Sequence, residues 1–257
     1  MRSFEGKVAL VTGGSSGLGA ATALQFAREG ARVVIAARRT EQSESVLQQI
    51  TALGGEALFV RTDVSRAVDV AAMVQATLDR FGRLDCAVNN AGVSGPVGKP
   101  VADVKEAQWD ALMNVNLKGV WLCMKHEIPA MLAQGAGAIV NVASIYGIKP
   151  SDLGHATYSA SKFGVVGLTQ SAAIDYGQRG LRINAVAPGF TRSEMVNPDA
   201  PASAERYKVI AAKHSAMNRL GHAEEIASAI TWLCSDAARF VNGTVLPVDG
   251  GATSRLY

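Results

Sequence analysis

The sequence predicts an α/β fold: a doubly wound parallel sheet of about seven strands, covered by helices on both faces. Three observations carry this expectation. Short β-branched runs alternate with longer stretches whose apolar residues recur at helical spacing, the pattern of βαβ units. The strand runs are continuously apolar rather than alternating, as burial on both faces requires. Chemistry-bearing residues fall just past the carboxyl ends of those strands, where open α/β sheets bind ligands.

The elements follow in order. Strand candidates, each a short apolar run, are 8–11, 32–35, 57–61, 85–88, 138–142, 182–186 and 244–248. Helix candidates between them are 17–29, 41–53, 68–81, 109–132, 157–176 and 223–235. The stretch 157–176 is rich in Ala, Ser and Gly, with Phe163, Val165, Val166, Leu168 and Ile174 spread around it. A helix apolar on more than one face must be buried on more than one face. One face suits the sheet and the other a second subunit. The least regular segment is 190–217, with Pro198, Pro201, several charges and room for one short helix. Long irregular segments are often binding loops, so it is expected to act as a substrate lid.

The chain has 257 residues, 48% hydrophobic and 18% charged, enough for one large core. No linker or composition shift marks a boundary, so one domain over 1–257 is expected. Net charge is +3 with basic residues scattered, which argues against a nucleic-acid partner and suits an anionic small ligand. Cys86, Cys123 and Cys234 are odd in number and far apart; they read as buried small hydrophobes. His126, His155, His214 and His222 form no metal motif. The first residues lead directly into a strand, and no stretch approaches the ~18 apolar residues of a membrane helix. A cytoplasmic protein with no membrane partner is expected.

After the first strand comes Thr12-Gly-Gly-Ser-Ser-Gly-Leu-Gly19, opening a helix. Gly13, Gly17 and Gly19 let the backbone turn sharply and approach a pyrophosphate, which the helix N-terminus then binds. The fold is therefore Rossmann-type. An acidic residue usually holds the adenosine ribose at the tip of strand two. Here Ala37 stands there, followed by Arg38 and Arg39. A missing acid and a supplied guanidinium point to the 2′-phosphate of NADP(H), with NAD(H) as the alternative. Tyr158 and Lys162 lie four apart, on one face of a helix. An ammonium that close is expected to pull the phenol below its ordinary ~10 and make it a general acid/base.

With these residues in view, the chain resembles the short-chain dehydrogenase/reductase family, over essentially its whole length. Thr12–Gly19 looks like the family's glycine motif, Asp63-Val64 like its adenine-contacting pair, and Asn89-Asn-Ala-Gly92 like its signature after strand four. Asn116, Ser144, Tyr158 and Lys162 match its catalytic tetrad, and Asn184-Ala-Val-Ala-Pro-Gly189 and Val248-Asp-Gly-Gly251 match further motifs. Three departures stand out: Leu18 where isoleucine is common, Ser193 where a nicotinamide-contacting threonine is common, and Ser16 where some NADP-binding members carry a base.

The resemblance implies hydride exchange between a nicotinamide cofactor and a carbon bearing an alcohol or ketone. Tyr158 would move the proton, Ser144 hold the substrate oxygen, and Asn116 anchor a water beside Lys162. Cofactor contacts would come from Gly13, Ser15, Ser16, Gly17, Leu18, Gly19, Arg38, Arg39, Asp63, Val64, Asn90, Ala91, Gly92, Tyr158, Lys162, Pro188, Gly189, Thr191 and Ser193. The substrate pocket would be lined by Ser94, Ser144, Ile145, Tyr146, His155, Tyr158, Phe190 and Met195, suiting a neutral, medium-sized alcohol or ketone. A homodimer or homotetramer through the helices near 119–132 and 157–176 is implied as well. Three other functions compete with this one: a non-catalytic NADP(H)-binding regulatory protein on the same fold, a sugar epimerase, and an enoyl reductase. The first usually lacks the Tyr or Lys, the second needs a larger C-terminal domain, and the third has a longer Tyr-to-Lys spacing.

Overall fold

The computed structural model describes residues 3–196 and 204–255. In chain order the elements are β1 (Val8–Thr12), α1 (Gly17–Arg28), β2 (Arg32–Ala37), α2 (Thr40–Ala52), β3 (Ala57–Arg61), α3 (Ala67–Phe81), β4 (Cys86–Asn89), α4 (Glu106–Met113), α5 (Gly119–Ala133), β5 (Gly137–Val142), α6 (Ala156–Gly177), β6 (Leu181–Pro188), α7 (Ala204–His214), α8 (Ala223–Cys234) and β7 (Val245–Val248). The strands form one sheet in the order β3-β2-β1-β4-β5-β6-β7, parallel at every pairing. The chain winds outward from β1 to β3, then returns to β4 on the other side of β1. Where the order reverses, two loops diverge and leave a crevice past the strands' carboxyl ends. Gly13 after β1 and Asn90 after β4 stand at its edges.

The side chains of β1 show how the sheet is buried. Val8 and Leu10 enter one apolar layer with Met73 of α3, Met124 of α5 and Val165 of α6. Ala9 and Val11 enter the other with Phe26 of α1, Ile50 of α2 and Ile226 of α8. Alternate residues face opposite sides of a strand, so both faces demand apolar residues, and the run reads as continuous. Phe26 is fully buried; truncating such a side chain to alanine typically costs about 3–5 kcal/mol. All three cysteines are buried and free.

One expected element is corrected. The single helix over 109–132 is broken: α4 ends at Met113, residues Asn114–Lys118 form a wider π-helical turn, and α5 begins at Gly119. Such turns are frequent at functional sites, and this one carries the buried Asn116. The short helix foreseen in 190–217 is α7, whereas Pro198 and Pro201 lie outside the described residues. Among the described residues no helix is long and apolar enough to cross a membrane.

Candidate active site

Two polar residues stitch the crevice walls together. The Thr12 hydroxyl donates to Val88 O (3.3 Å) and accepts from the backbone N–H groups of Asn90 (3.0 Å) and Ala91 (3.2 Å). Asn90 Nδ2 returns to Thr12 O at 3.0 Å. The glycine turn thus sits directly beside the loop after β4, and there is no room for side chains. A Cβ on Gly13 would lie 2.9 Å from Ala91 Cα, and one on Gly19 only 2.2 Å from Gly13 O. Gly13 and Gly17 also adopt left-handed φ values of 66° and 53°, which favour glycine.

The turn has the chemistry of an anion cradle. Ser16 caps α1 in an extended conformation, but its side chain makes no capping bond, and the first turn holds no acid. The first N–H groups of a helix lack intrahelical partners and carry its positive end. They therefore fit a dinucleotide's pyrophosphate. At the tip of β2, Ala37 is buried and Arg38 and Arg39 are exposed. Burial alone would raise the Asp63 carboxyl; hydrogen bonds from Ser65 and the Arg38 and Arg66 charges outweigh it and hold it below the usual carboxylate range.

At the other end, β5 delivers Ser144 and α6 delivers Tyr158 and Lys162. Ser144 Oγ accepts from Tyr146 N at 3.2 Å and hydrogen-bonds the Tyr158 hydroxyl. Lys162 is buried; its Nζ donates to Val142 O at 2.7 Å and lies 5.6 Å from the Tyr158 ring centroid. Burial pushes the ammonium down to about 8. The expected acidic phenol is corrected here: burial pushes Tyr158 above its ordinary value, and only the Ser144 bond opposes it. The spacing brings the two side chains to one helix face, but the ammonium bonds a backbone carbonyl rather than the phenol oxygen.

Asn116 lies behind this wall, fully buried. Its Oδ1 accepts from Val93 N at 2.8 Å, and its Nδ2 donates to Val93 O at 2.9 Å and to Ser161 Oγ at 3.4 Å. It therefore clamps the loop after β4 to α6.

One continuous cavity of about 560 Å³ takes in both ends, a size typical of small-molecule sites. All the residues expected at the site line it except Gly19 and Asn116, which pack behind its wall. Glu194 on the loop after β6, and Arg206, Tyr207 and Ile210 on α7, line it as well, beyond the residues expected from the sequence. The signal for α7 was the inward repeat Tyr207, Ile210, Ala211, His214; Glu194 gave none beyond its place between Ser193 and Met195. His155 also lines the cavity; burial, then the Arg206 charge, lower its pKa. Neither of its ring nitrogens has a hydrogen-bond partner among the described residues. No group of three or more His, Cys, Asp or Glu residues is placed to hold a metal among the described residues.

Comparison with known proteins bears on this geometry. A family model described as enoyl-(acyl carrier protein) reductase matches residues 13–253. A short chain dehydrogenase/reductase of Aspergillus oryzae is 42% identical over 251 residues, covering 97% of this chain and 95% of that protein. A cis-4-hydroxycyclohexanecarboxylate dehydrogenase of Sinomonas cyclohexanicum is 43% identical, covering 98% of both. The crystal structure of a levodione reductase superposes with a TM-score of 0.91 at 39% identity, covering 98% of this chain and 100% of that one.

Proposed function

Because the chain belongs to the short-chain dehydrogenase/reductase family of oxidoreductases, we propose that it interconverts a secondary alcohol and a ketone with NAD(P)(H), Tyr158 moving the proton. The observation that carries this reading is the single cavity, with an anion cradle at one end and Tyr158, Ser144 and Lys162 at the other.

Gly13 to Gly19 would hold the pyrophosphate, Arg38 and Arg39 the adenosine end, and Lys162, Thr191 and Ser193 the nicotinamide end. When bound, that ring supplies or accepts the hydride. Tyr158 gives its proton to the substrate oxygen on reduction and takes it back on oxidation. A phenol kept protonated by burial suits the donor role at neutral pH. Ser144 donates to the same oxygen and stabilises charge developing there, an effect commonly worth a few kcal/mol. Lys162 keeps a cation beside the phenol, and Asn116 holds Val93 and α6 at fixed separation.

The absent acid after β2 favours NADP(H) over NAD(H). The Sinomonas relative, named for oxidising a ring alcohol, supports an alicyclic alcohol or ketone as the substrate. The serine beside the tyrosine favours a carbonyl oxygen as the proton acceptor, and with Tyr158 and Lys162 both in place no observation favours a non-catalytic regulatory role. Trp121 on α5 and Phe163 and Ile174 on α6 are exposed; their pairing in a second copy would make a homodimer or homotetramer, working in the cytoplasm. Sedimentation showing only monomer would reject that assembly. The reaction is tested by following nicotinamide absorbance with both cofactors and a panel of alicyclic ketones and alcohols. Turnover is expected; none with any pair would reject the proposal.

A further inference from the structure

The loop after β6 carries a carboxylate into the adenosine end of the cavity. Glu194 Oε2 accepts from Arg39 at 2.8 Å and from the Ser16 hydroxyl at 3.0 Å. The same Arg39 nitrogen donates to Ser16 Oγ at 2.6 Å. A guanidinium from the tip of β2 and a hydroxyl from the glycine turn thus converge on one anionic oxygen. The Arg39 bond holds the Glu194 carboxyl below the usual range, so it is charged at neutral pH. The neighbouring Arg38 makes no ion pair of its own within 4.0 Å among the described residues; its charge acts on Asp63 from farther away. Of the two arginines that argue for a 2′-phosphate, Arg39 therefore has a carboxylate bonded to it.

We propose that Glu194 is the cofactor-specificity determinant: its carboxylate stands in the anion site built by Arg39 and Ser16, and a 2′-phosphate binds there only by displacing it. The proposal rests on reading this end of the cavity as a dinucleotide site. Arginine binds carboxylate and phosphate through the same donors, so the two anions compete for one position. A ribose with a free 2′-hydroxyl has no anion to place there and leaves the bridge intact. Glu194 is exposed enough that the bridge is cheap to open; discrimination therefore takes the form of a graded penalty on the phosphorylated cofactor rather than exclusion. Because Ser193 and Met195 flank Glu194 and also line the cavity, displacing it couples the adenosine end to the loop beside the substrate.

The test is calorimetric binding of adenosine 2′,5′-bisphosphate and adenosine 5′-monophosphate, which needs no turnover. Glu194→Gln and Glu194→Ala are expected to tighten the bisphosphate about fivefold, the most that an exposed ion pair is commonly worth. The monophosphate should stay within about twofold. Arg39→Gln should weaken the bisphosphate selectively. An unchanged bisphosphate-to-monophosphate ratio in both Glu194 variants, with the monophosphate still bound, would overturn this proposal and leave the dinucleotide reading standing. Failure of the wild type to bind either nucleotide would remove the dinucleotide site and this proposal together.

Discussion

Replacing Glu127 with glutamine takes one titrating proton out of the floor beneath the site while keeping the side chain's shape. Glu127 is wholly buried on α5. Its Oε2 accepts from Asn89 Nδ2 at 3.0 Å; Asn89 Nδ2 also donates to Asn141 Oδ1 at 3.0 Å, and Asn141 Nδ2 to Thr169 Oγ1 at 2.9 Å. Glu127 Oε1 and Asn89 Oδ1 each lack a partner among the described residues. Burial raises the carboxyl from 4.5 to about 7, against the pull of the Asn89 bond. The folded value lies above the unfolded one, so the stability present below pH 4.5 is lost as pH rises toward 7 and is constant beyond. That rise corresponds to roughly 3 kcal/mol. Glutamine does not titrate and can still accept from Asn89 Nδ2. Urea unfolding of both proteins at stepped pH should show the wild type losing roughly 3 kcal/mol relative to Glu127→Gln between acid and neutral pH. Parallel stability curves would refute the buried-acid argument.

Three further outcomes are expected. The ketone-reducing rate should fall as pH passes about 8, where Lys162 loses its charge; a pH–rate profile checks this, and Lys162→Arg should move the falling limb upward. Gly17→Ala should weaken dinucleotide binding about tenfold or more, because the backbone is left-handed and the new Cβ would press 3.2 Å from Ser193 Cβ; fluorescence titration with the reduced cofactor measures it. Arg206→Gln should selectively raise KM for ring ketones bearing a carboxylate, since Arg206 lines the cavity and has no carboxylate partner among the described residues; paired acid and ester substrates read the difference.

The fold was legible because its signals are local. Continuous apolar runs such as Val8–Val11 report burial on both faces, and the glycine turn reports a backbone approach that geometry enforces. What escaped depends on contacts the linear pattern does not encode. The π-helical turn at Asn114–Lys118 contains no glycine or proline to mark a break, so 109–132 reads as one helix. The i, i+4 spacing of Tyr158 and Lys162 fixes a shared face but not where Nζ points, and it points to Val142 O, twenty positions back. The Arg39–Glu194 bridge joins residues 155 apart in sequence. Glu127 left only a faint trace, one acid among the apolar residues of α5, and its meaning depends on Asn89 lying opposite.

The enzyme account is tested most directly by single-turnover kinetics of Tyr158→Phe with a ring ketone that the wild type reduces, run beside cofactor titration. Loss of at least about a thousandfold in rate is expected, with cofactor affinity within about threefold of wild type. A variant that reduces the ketone at the wild-type rate would contradict the assignment of the proton to that hydroxyl.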